Sequence, residues 1–122
     1  VKEEGGLDAH VEQGGGNFSG GQRQRLAIAR ALVKQASAYV FDDSFSALYF
    51  KTDAQLRAEL RQDKQIQQSV VVIVAQRIAT VADADLILVM ENGGIVEQGS
   101  HEELLRAQGA YWRLHQSQFK KA

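Results

Sequence analysis

The sequence contains no cysteine, which excludes disulfide bonds, thiolate chemistry and cysteine-ligated zinc sites. Its three histidines, His10, His101 and His115, lie far apart and show no metal-ligand spacing. Basic and acidic residues nearly balance, with a formal net charge of −1. The overall charge therefore gives no reason to expect binding to nucleic acid or to an anionic membrane surface.

Long apolar runs are also missing. The longest one, Val70–Ala75, is far shorter than the roughly 20 residues that cross a bilayer, and it suits a buried strand. The first six residues have no apolar core and do not resemble a signal peptide. The chain does not begin with Met, so we expect a start inside a longer reading frame or a processed N-terminus.

The 122 residues have room for one domain at most. Residues 1–18 are polar and glycine-rich and are predicted to form a loop or the end of a preceding element. The predicted elements that follow are a helix over 22–34 capped by Ser19, a buried strand over 38–41, a helix over 53–62 capped by Thr52, a buried strand over 70–75, a short helix over 78–82, strands over 85–90 and 95–97, a helix over 101–108 capped by Ser100, and a last helix carrying Tyr111, Trp112 and Leu114.

Strands that alternate with helices predict an α/β fold with a largely parallel sheet. Asn92-Gly93-Gly94 has the chemistry of a hairpin turn. Three or four short strands are a thin core for a sheet that needs cover on both faces. We therefore expect an incomplete domain. In the first helix the predicted apolar face consists of Leu26, Ala29, Leu32 and Val33.

The segment 17–32 reads NFSGGQRQRLAIARAL. Ser19-Gly20-Gly21 opens a helix with side chains too small to cover the backbone, so free N–H groups and the positive helix end favour a bound phosphate. An ordinary capped helix with a glycine hinge explains these three residues equally well.

A pair of acids, Asp42 and Asp43, follows the first predicted strand. A carboxylate at a strand end can hold Mg²⁺, usually through water, while the metal bridges phosphate oxygens. Taken alone, such a pair is more often a solvated sheet edge or a helix cap.

Taken together, these motifs resemble the ATP-binding domains of ABC transporters. The segment 17–32 is similar to the signature motif and the helix after it, and Leu86–Leu104 is similar to the C-terminal part of exporter-type domains. The resemblance implies a partial P-loop-NTPase-like parallel sheet flanked by helices. Residues 1–21 would end the helical subdomain and carry the signature, and residues 22–122 would form the C-terminal part of the catalytic core.

In this family ATP lies between two domains packed head to tail, and the signature of one faces the nucleotide of the other. The resemblance implies that Ser19, Gly20 and Gly21 contact the γ-phosphate of nucleotide on a partner, with support from Gln22. It also implies that Asp42, at the Walker B position, holds Mg²⁺ through water.

Three positions depart from the family pattern. Asp43 stands where the family has a catalytic glutamate, so it is a weak general-base candidate. Gln76 stands at the switch-histidine position and cannot carry a proton. The D-loop, Ser46-Ala47-Leu48-Tyr49, ends in Tyr49 where the family has aspartate. The first two changes together resemble the degenerate subunit of heterodimeric bacterial exporters.

The phosphate loop G-x-x-x-x-G-K-[S/T] does not occur in the sequence. We therefore expect the isolated chain to be inactive, with ATP and Mg²⁺ bound only in a complete dimeric assembly. The resemblance implies two partners, a second ATP-binding domain (a heterodimer) and a transmembrane domain that would hold the chain at the cytoplasmic face of the membrane.

Two alternatives remain open from the sequence. A non-catalytic interaction or regulatory fragment, or a decayed gene product, agrees with the missing phosphate loop and with Asp43, Gln76 and Tyr49. A soluble ABC ATPase acting on DNA is the other alternative, and the near-neutral charge and the exporter-like C-terminal segment argue against it.

Overall fold

The computed structural model describes residues 6–15 and 19–120. Two short 3-10 helices, Gly6–Asp8 and Gln13–Gly15, precede the main elements. These are, in chain order, α1 (Gly20–Val33), β1 (Ala38–Asp42), α2 (Phe50–Gln62), α3 (Lys64–Gln67), β2 (Val70–Val74), α4 (Ile78–Val81), β3 (Ile87–Glu91), β4 (Gly94–Gly99), α5 (His101–Ala107) and α6 (Ala110–Phe119). Among the described residues, none of these helices has the length and apolar character needed to cross a membrane.

Strands β1 and β2 form a parallel pair, in register from Ala38 opposite Val70 to Asp42 opposite Val74. Parallel neighbours need a crossover connection, and α2 with α3 supplies it. The predicted α/β class and the parallel pairing of these two strands are confirmed. Both strands end at the same edge, which places Asp42 beside the segment that follows Val74.

The second pair of strands differs from the expectation of one largely parallel sheet. Strands β3 and β4 form a separate antiparallel hairpin. The turn residues Asn92 and Gly93 have φ angles of +50° and +79°, as a two-residue hairpin turn with two left-handed positions requires. The predicted hairpin is confirmed, and its tight connection is what makes this sheet antiparallel.

Helix α1 begins two residues earlier than predicted, with Ser19 as its N-cap. Its apolar face is also rotated from the predicted one, because Ile28 is the buried residue and Ala31 and Leu32 pack beside it. Leu26 is exposed and Val33 is 86% exposed. The face of α1 that packs against β1 is therefore not the one that its apolar spacing predicted.

Helix α2 also begins earlier than predicted. Its N-cap is Tyr49, and Thr52 lies inside the first turn, so the prediction that Thr52 caps this helix was wrong. The preceding loop explains the shift, since buried Phe45 and Leu48 anchor it to the core of α1 and β1. The helix therefore begins at Phe50, soon after these buried residues.

The apolar residues form two clusters. The first joins α1, β1, α2 and α3 around buried residues that include Phe41 and Phe45. The second joins α4, β3, α5 and α6 around Ile78, Ile87, Leu104 and Tyr111.

The prediction that Val70–Ala75 is a buried strand was right about the strand and wrong about its burial. Four of its valines, Val70, Val71, Val72 and Val74, are exposed. In the described residues β2 has one strand neighbour, and little else covers its faces. The thin core expected from the sequence is therefore present.

Helix α5 begins with a capping box of Ser100 and Glu103, as predicted for Ser100. Hydrogen bonds from the Ser100 hydroxyl and N–H to the carboxylate hold the pKa of Glu103 below its usual value. A depressed pKa means that ionised Glu103 stabilises the fold above its ordinary pKa, and that this contribution is lost as the pH falls through the folded value.

We expect Glu103→Gln to lower the urea midpoint of unfolding at neutral pH and to have no effect once the pH is well below 4.5, the ordinary pKa of this residue. Urea titrations across this range measure the difference. Glu102→Gln, in the same helical turn but outside the capping box, is the matched control and should show a smaller change. A Glu103→Gln effect of equal size at acid and neutral pH would contradict the role of the ionised cap.

Candidate functional site

The N-terminus of α1 is closed by a reciprocal pair of hydrogen bonds. The Ser19 Oγ accepts the Gln22 N–H at 3.1 Å, and the Gln22 Oε1 accepts the Ser19 N–H at 2.8 Å. As an acceptor in this pair, the Ser19 hydroxyl keeps its own proton for another acceptor. Gly20 and Gly21 occupy the first turn, where backbone N–H groups have no partner within the helix.

The two glycines lie directly against the loop that follows β1. A Cβ at Gly20 would lie 3.2 Å from the Ala47 Cβ, and one at Gly21 would lie 3.2 Å from the Ala47 carbonyl oxygen. Both distances are shorter than ordinary van der Waals contact. Glycine is therefore the residue that lets the helix end and the loop meet.

A single glutamine joins α1 to this loop. The Gln24 Nε2 donates to the Asp43 carbonyl oxygen and to the Ser46 Oγ, each at 2.9 Å, and the Gln24 Oε1 accepts the Ala47 N–H at 2.8 Å. Both ends of the amide are thus used. The role of Gln24 has no local signal in the sequence, because its partners lie about 20 residues further along the chain.

Asp42 and Asp43 lie at the carboxyl end of β1, as predicted, and both are exposed. Asp43 has a φ of +54°, a left-handed conformation that aspartate adopts more readily than most residues. Its N–H donates to the Val74 carbonyl oxygen at 2.8 Å, which continues the parallel pairing for one residue. The strand therefore ends with a sharp change of direction at Asp43.

Two shallow clefts flank the helix end. The glycine cleft is lined by Ser19, Gly20, Gly21, Arg25, Ala47, Leu48, Tyr49 and Thr52. The acid cleft is lined by Gly20, Arg23, Gln24, Ala27, Asp42, Asp43, Ser44 and Ala47. Gly20 and Ala47 belong to both clefts, so the predicted signature, D-loop and acid pair form one continuous surface.

Gln76 lies just beyond β2, at the same sheet edge as the acids, but it lines neither cleft. Its carbonyl oxygen accepts the Gln118 Nε2 at 2.7 Å, and the Gln118 Oε1 accepts the Ile78 N–H at 2.8 Å. A side chain of the last helix thus fixes the backbone around Gln76. The side chain of Gln76 is exposed, while the backbone from its carbonyl group to Ile78 is fixed by these two hydrogen bonds.

Asp53 in α2 is the buried charge of this region, with 1% of its surface exposed. Its carboxylate accepts hydrogen bonds from the Arg57 Nε at 2.6 Å, the Arg77 Nη2 at 2.8 Å and the Thr80 Oγ1 at 2.8 Å. A buried carboxylate needs such partners, because its transfer out of water costs on the order of several kcal/mol of free energy.

Arg77 links Asp53 to the loop that follows β1. Its Nη1 donates to the Leu48 carbonyl oxygen at 2.9 Å, and its Nη2 donates to the Phe45 carbonyl oxygen. The guanidinium also lies over the Phe50 ring, 4.8 Å from its centroid. The i,i+4 pair Asp53 and Arg57 is visible in the sequence, whereas the long-range pairing with Arg77 has no sequence signal.

The site offers few ligands for a metal ion. Among residues 6–15 and 19–120, no three acids or histidines come together as a metal site. Asp42 supplies one exposed carboxylate. That arrangement suits a Mg²⁺ ion whose other ligands are water and phosphate oxygens, which is how this ion is commonly held in phosphoryl-transfer sites.

Comparison with known proteins identifies the family of this chain. The family model described as ABC transporter matches residues 1–46. An uncharacterized ABC transporter ATP-binding protein of Mycobacterium tuberculosis is 54% identical over 100 residues, covering 82% of this chain and 17% of the relative. An ATP-dependent lipid A-core flippase of Vibrio vulnificus is 43% identical, covering 97% of this chain and 20% of the relative.

The fold agrees as well. A bacterial Atm1-family ABC exporter, solved with ATP bound, superposes with a TM-score of 0.81 at 39% sequence identity, covering 86% of this chain and 18% of that one. The chain belongs to the ABC transporter family. It is part of an ATP-binding domain and spans about a fifth of the length of the curated relatives it matches.

Most of the site residues expected from the ABC resemblance lie close together. Ser19, Gly20 and Gly21 adjoin Ala47, Leu48 and Tyr49, and the acids lie across Gly20 from them. Asn17 and Phe18, the first residues of the predicted signature, lie outside the described residues. Gln22 serves as the reciprocal cap of Ser19, a specific contact for a residue that was expected only to support the signature.

We expect Asp53→Ala to destabilise the chain by about 3–5 kcal/mol, because two arginines would lose their buried counter-charge. Urea unfolding measures the difference. Glu59→Ala, an exposed acid on the same helix, is the control and should change stability by less than about 0.5 kcal/mol. Equal effects of the two substitutions would contradict the role given to Asp53.

Proposed function

We propose that this segment works in an exporter-type ABC transporter, where the N-terminus of α1 binds the γ-phosphate of ATP held by a second ATP-binding domain. The observation that carries the proposal is the capped helix end, where the Ser19 hydroxyl and the first-turn N–H groups of Gly20 and Gly21 lie together on the surface of a cleft. The proposal requires ATP and Mg²⁺ in the assembled dimer.

The electrostatics of the helix end support an anionic ligand. The 14-residue helix α1 presents the positive end of its dipole at Ser19. Arg25 adds a full positive charge to the same cleft. Donors that are already aimed at a phosphate need little rearrangement as negative charge develops on it during transfer, so they favour the transition state.

The chain's own acid pair is proposed to belong to a second, hydrolytically weak nucleotide site. Asp42 would hold Mg²⁺ through water. Asp43 has a carboxylate one carbon–carbon bond shorter than glutamate, and a general base must lie within about 2.6–3.2 Å of the proton it takes or reach it through water. Losing a well-placed base lowers a rate by about 10²–10⁴-fold.

Gln76 adds to this weakness. Its amide can donate and accept hydrogen bonds, but it cannot hold a positive charge against a phosphate at neutral pH. With Asp43 and Gln76 changed and the residues Ser19–Gln22 intact, this subunit would contribute to turnover mainly at the partner's site. That division of roles requires a heterodimer with one weak and one competent site.

The proposed partners are the second ATP-binding domain and a transmembrane domain. Membrane-spanning helices outside this segment would then hold it at the cytoplasmic face of the membrane. Relatives include a lipid A-core flippase, but selection of a transported molecule would depend on the transmembrane domain.

A second candidate is a non-catalytic interaction or regulatory segment. The substitutions at Asp43, Gln76 and Tyr49 favour it. The two candidates differ at Ser19. The transporter proposal makes ATP turnover depend on the Ser19 hydroxyl, whereas the non-catalytic candidate predicts no such dependence.

The test uses the complete transporter that contains this segment, reconstituted with its partner. We expect Ser19→Ala to lower ATP turnover about 10–100-fold, the range expected for one lost hydrogen bond to a charged group. Ser19→Thr, which keeps the hydroxyl and the cap, is the control and should stay near the unsubstituted rate. Asp43→Asn should leave most of the turnover intact.

Near-complete loss of turnover in Asp43→Asn would contradict the weak-site part of the proposal. Unchanged turnover in Ser19→Ala would contradict the contact in trans and would favour the non-catalytic candidate. Steady-state phosphate release, at equal amounts of assembled transporter, measures both outcomes.

A further inference from the structure

The loop Asp43–Tyr49 enters α2 without the usual helix cap. Tyr49 is the N-cap residue, and within the described part of the chain its side chain makes no capping hydrogen bond. It is 88% exposed. An aspartate or serine at an N-cap would accept a hydrogen bond from a first-turn N–H. The loop therefore has to be held by other contacts.

The first such contact comes from α1. Gln24 binds the loop at its beginning, through the Asp43 carbonyl oxygen, and near its middle, through the Ser46 hydroxyl and the Ala47 N–H. The donor and the acceptor of one planar amide are engaged together. A movement of the loop relative to α1 would break all three hydrogen bonds.

The second contact comes from the segment after β2. The Arg77 guanidinium binds the Phe45 and Leu48 carbonyl oxygens. These residues bury their side chains in the core, so the loop is held on both its backbone and its side chains. Buried Asp53 in turn fixes the guanidinium. Arg77 also directly follows Gln76, so one residue joins the Gln76 segment to the loop.

We propose that Gln24 and Arg77 are positioning residues that take the place of the missing cap at Tyr49 and hold the loop against the N-terminus of α1. Neither residue touches nucleotide in this role. Both act through the close approach of Ala47 to Gly20 and Gly21, where an added Cβ would lie 3.2 Å from Ala47. The effect on turnover rests on the proposed function, but the hold on the loop does not.

The first experiment measures the loop itself, in the complete transporter without nucleotide. Gln24→Ala removes the acceptor of the Ala47 N–H, so hydrogen exchange of a peptide covering this amide should become about tenfold faster. Arg30→Ala, an exposed change on the same helix, is the control and should leave exchange unchanged. Unchanged exchange in Gln24→Ala would overturn the proposal.

The second experiment asks whether a cap can replace the arginine. Arg77→Lys keeps the charge but loses the forked geometry, and we expect kcat for ATP to fall about tenfold with KM changed less than about twofold. Adding Tyr49→Asp, which restores a capping side chain, should recover at least half of the lost kcat. If the double variant recovers none of the lost kcat, the claim that Arg77 takes the place of the missing cap is overturned.

The two experiments separate this inference from the proposed function. If Ser19→Ala leaves turnover unchanged while Gln24→Ala speeds Ala47 exchange, the helix end does not serve a partner's nucleotide but the hold on the loop stands. If Ser19→Ala lowers turnover and Gln24→Ala leaves exchange unchanged, the proposed function stands and the positioning role is wrong.

Discussion

The buried carboxylate of Asp53 is the contact on which the geometry of the site depends. A charge with 1% exposure is tolerated because Arg57, Arg77 and Thr80 surround it. Through Arg77 the same charge fixes two carbonyl oxygens of the loop after β1. A surface element of the site is thus held in place by an ion pair beneath it, rather than by the sequence of the loop alone.

From this anchor the site extends outward through short contacts. The loop meets Gly20 and Gly21 at Ala47, and Gln24 ties the loop to the helix that these glycines open. Gly20 and Ala47 line both clefts. The helix end proposed to bind a phosphate and the acid pair at the strand end are therefore neighbours that share these two residues.

Local chemistry made part of the structure predictable. Ser19 and Ser100 were identified as caps from residue type and position, and Asn92-Gly93 as a hairpin turn, because each depends on neighbours in sequence. The strand ending in Asp42 was predictable from its apolar run. The family motif then predicted which residues near these elements form the site.

The rest depends on tertiary contacts that the sequence does not encode locally. Thr52 has a better capping side chain than Tyr49, yet the burial of Phe45 and Leu48 makes the helix begin before it. Val33 fits the apolar spacing of α1 but faces solvent, since Ile28 packs against the core instead. The pairing of Asp53 with Arg77 spans 24 residues, and no periodic pattern reports it.

The most direct test of the central claim is a structure of the assembled transporter with a non-hydrolysable ATP analogue and Mg²⁺. We predict that the Ser19 hydroxyl lies within hydrogen-bond distance, about 2.5–3.0 Å, of a γ-phosphate oxygen bound to the partner domain. The bonds from Gln24 to Ala47 and from Arg77 to Leu48 should be retained. A rearranged loop, or a helix end that faces no nucleotide, would contradict the account.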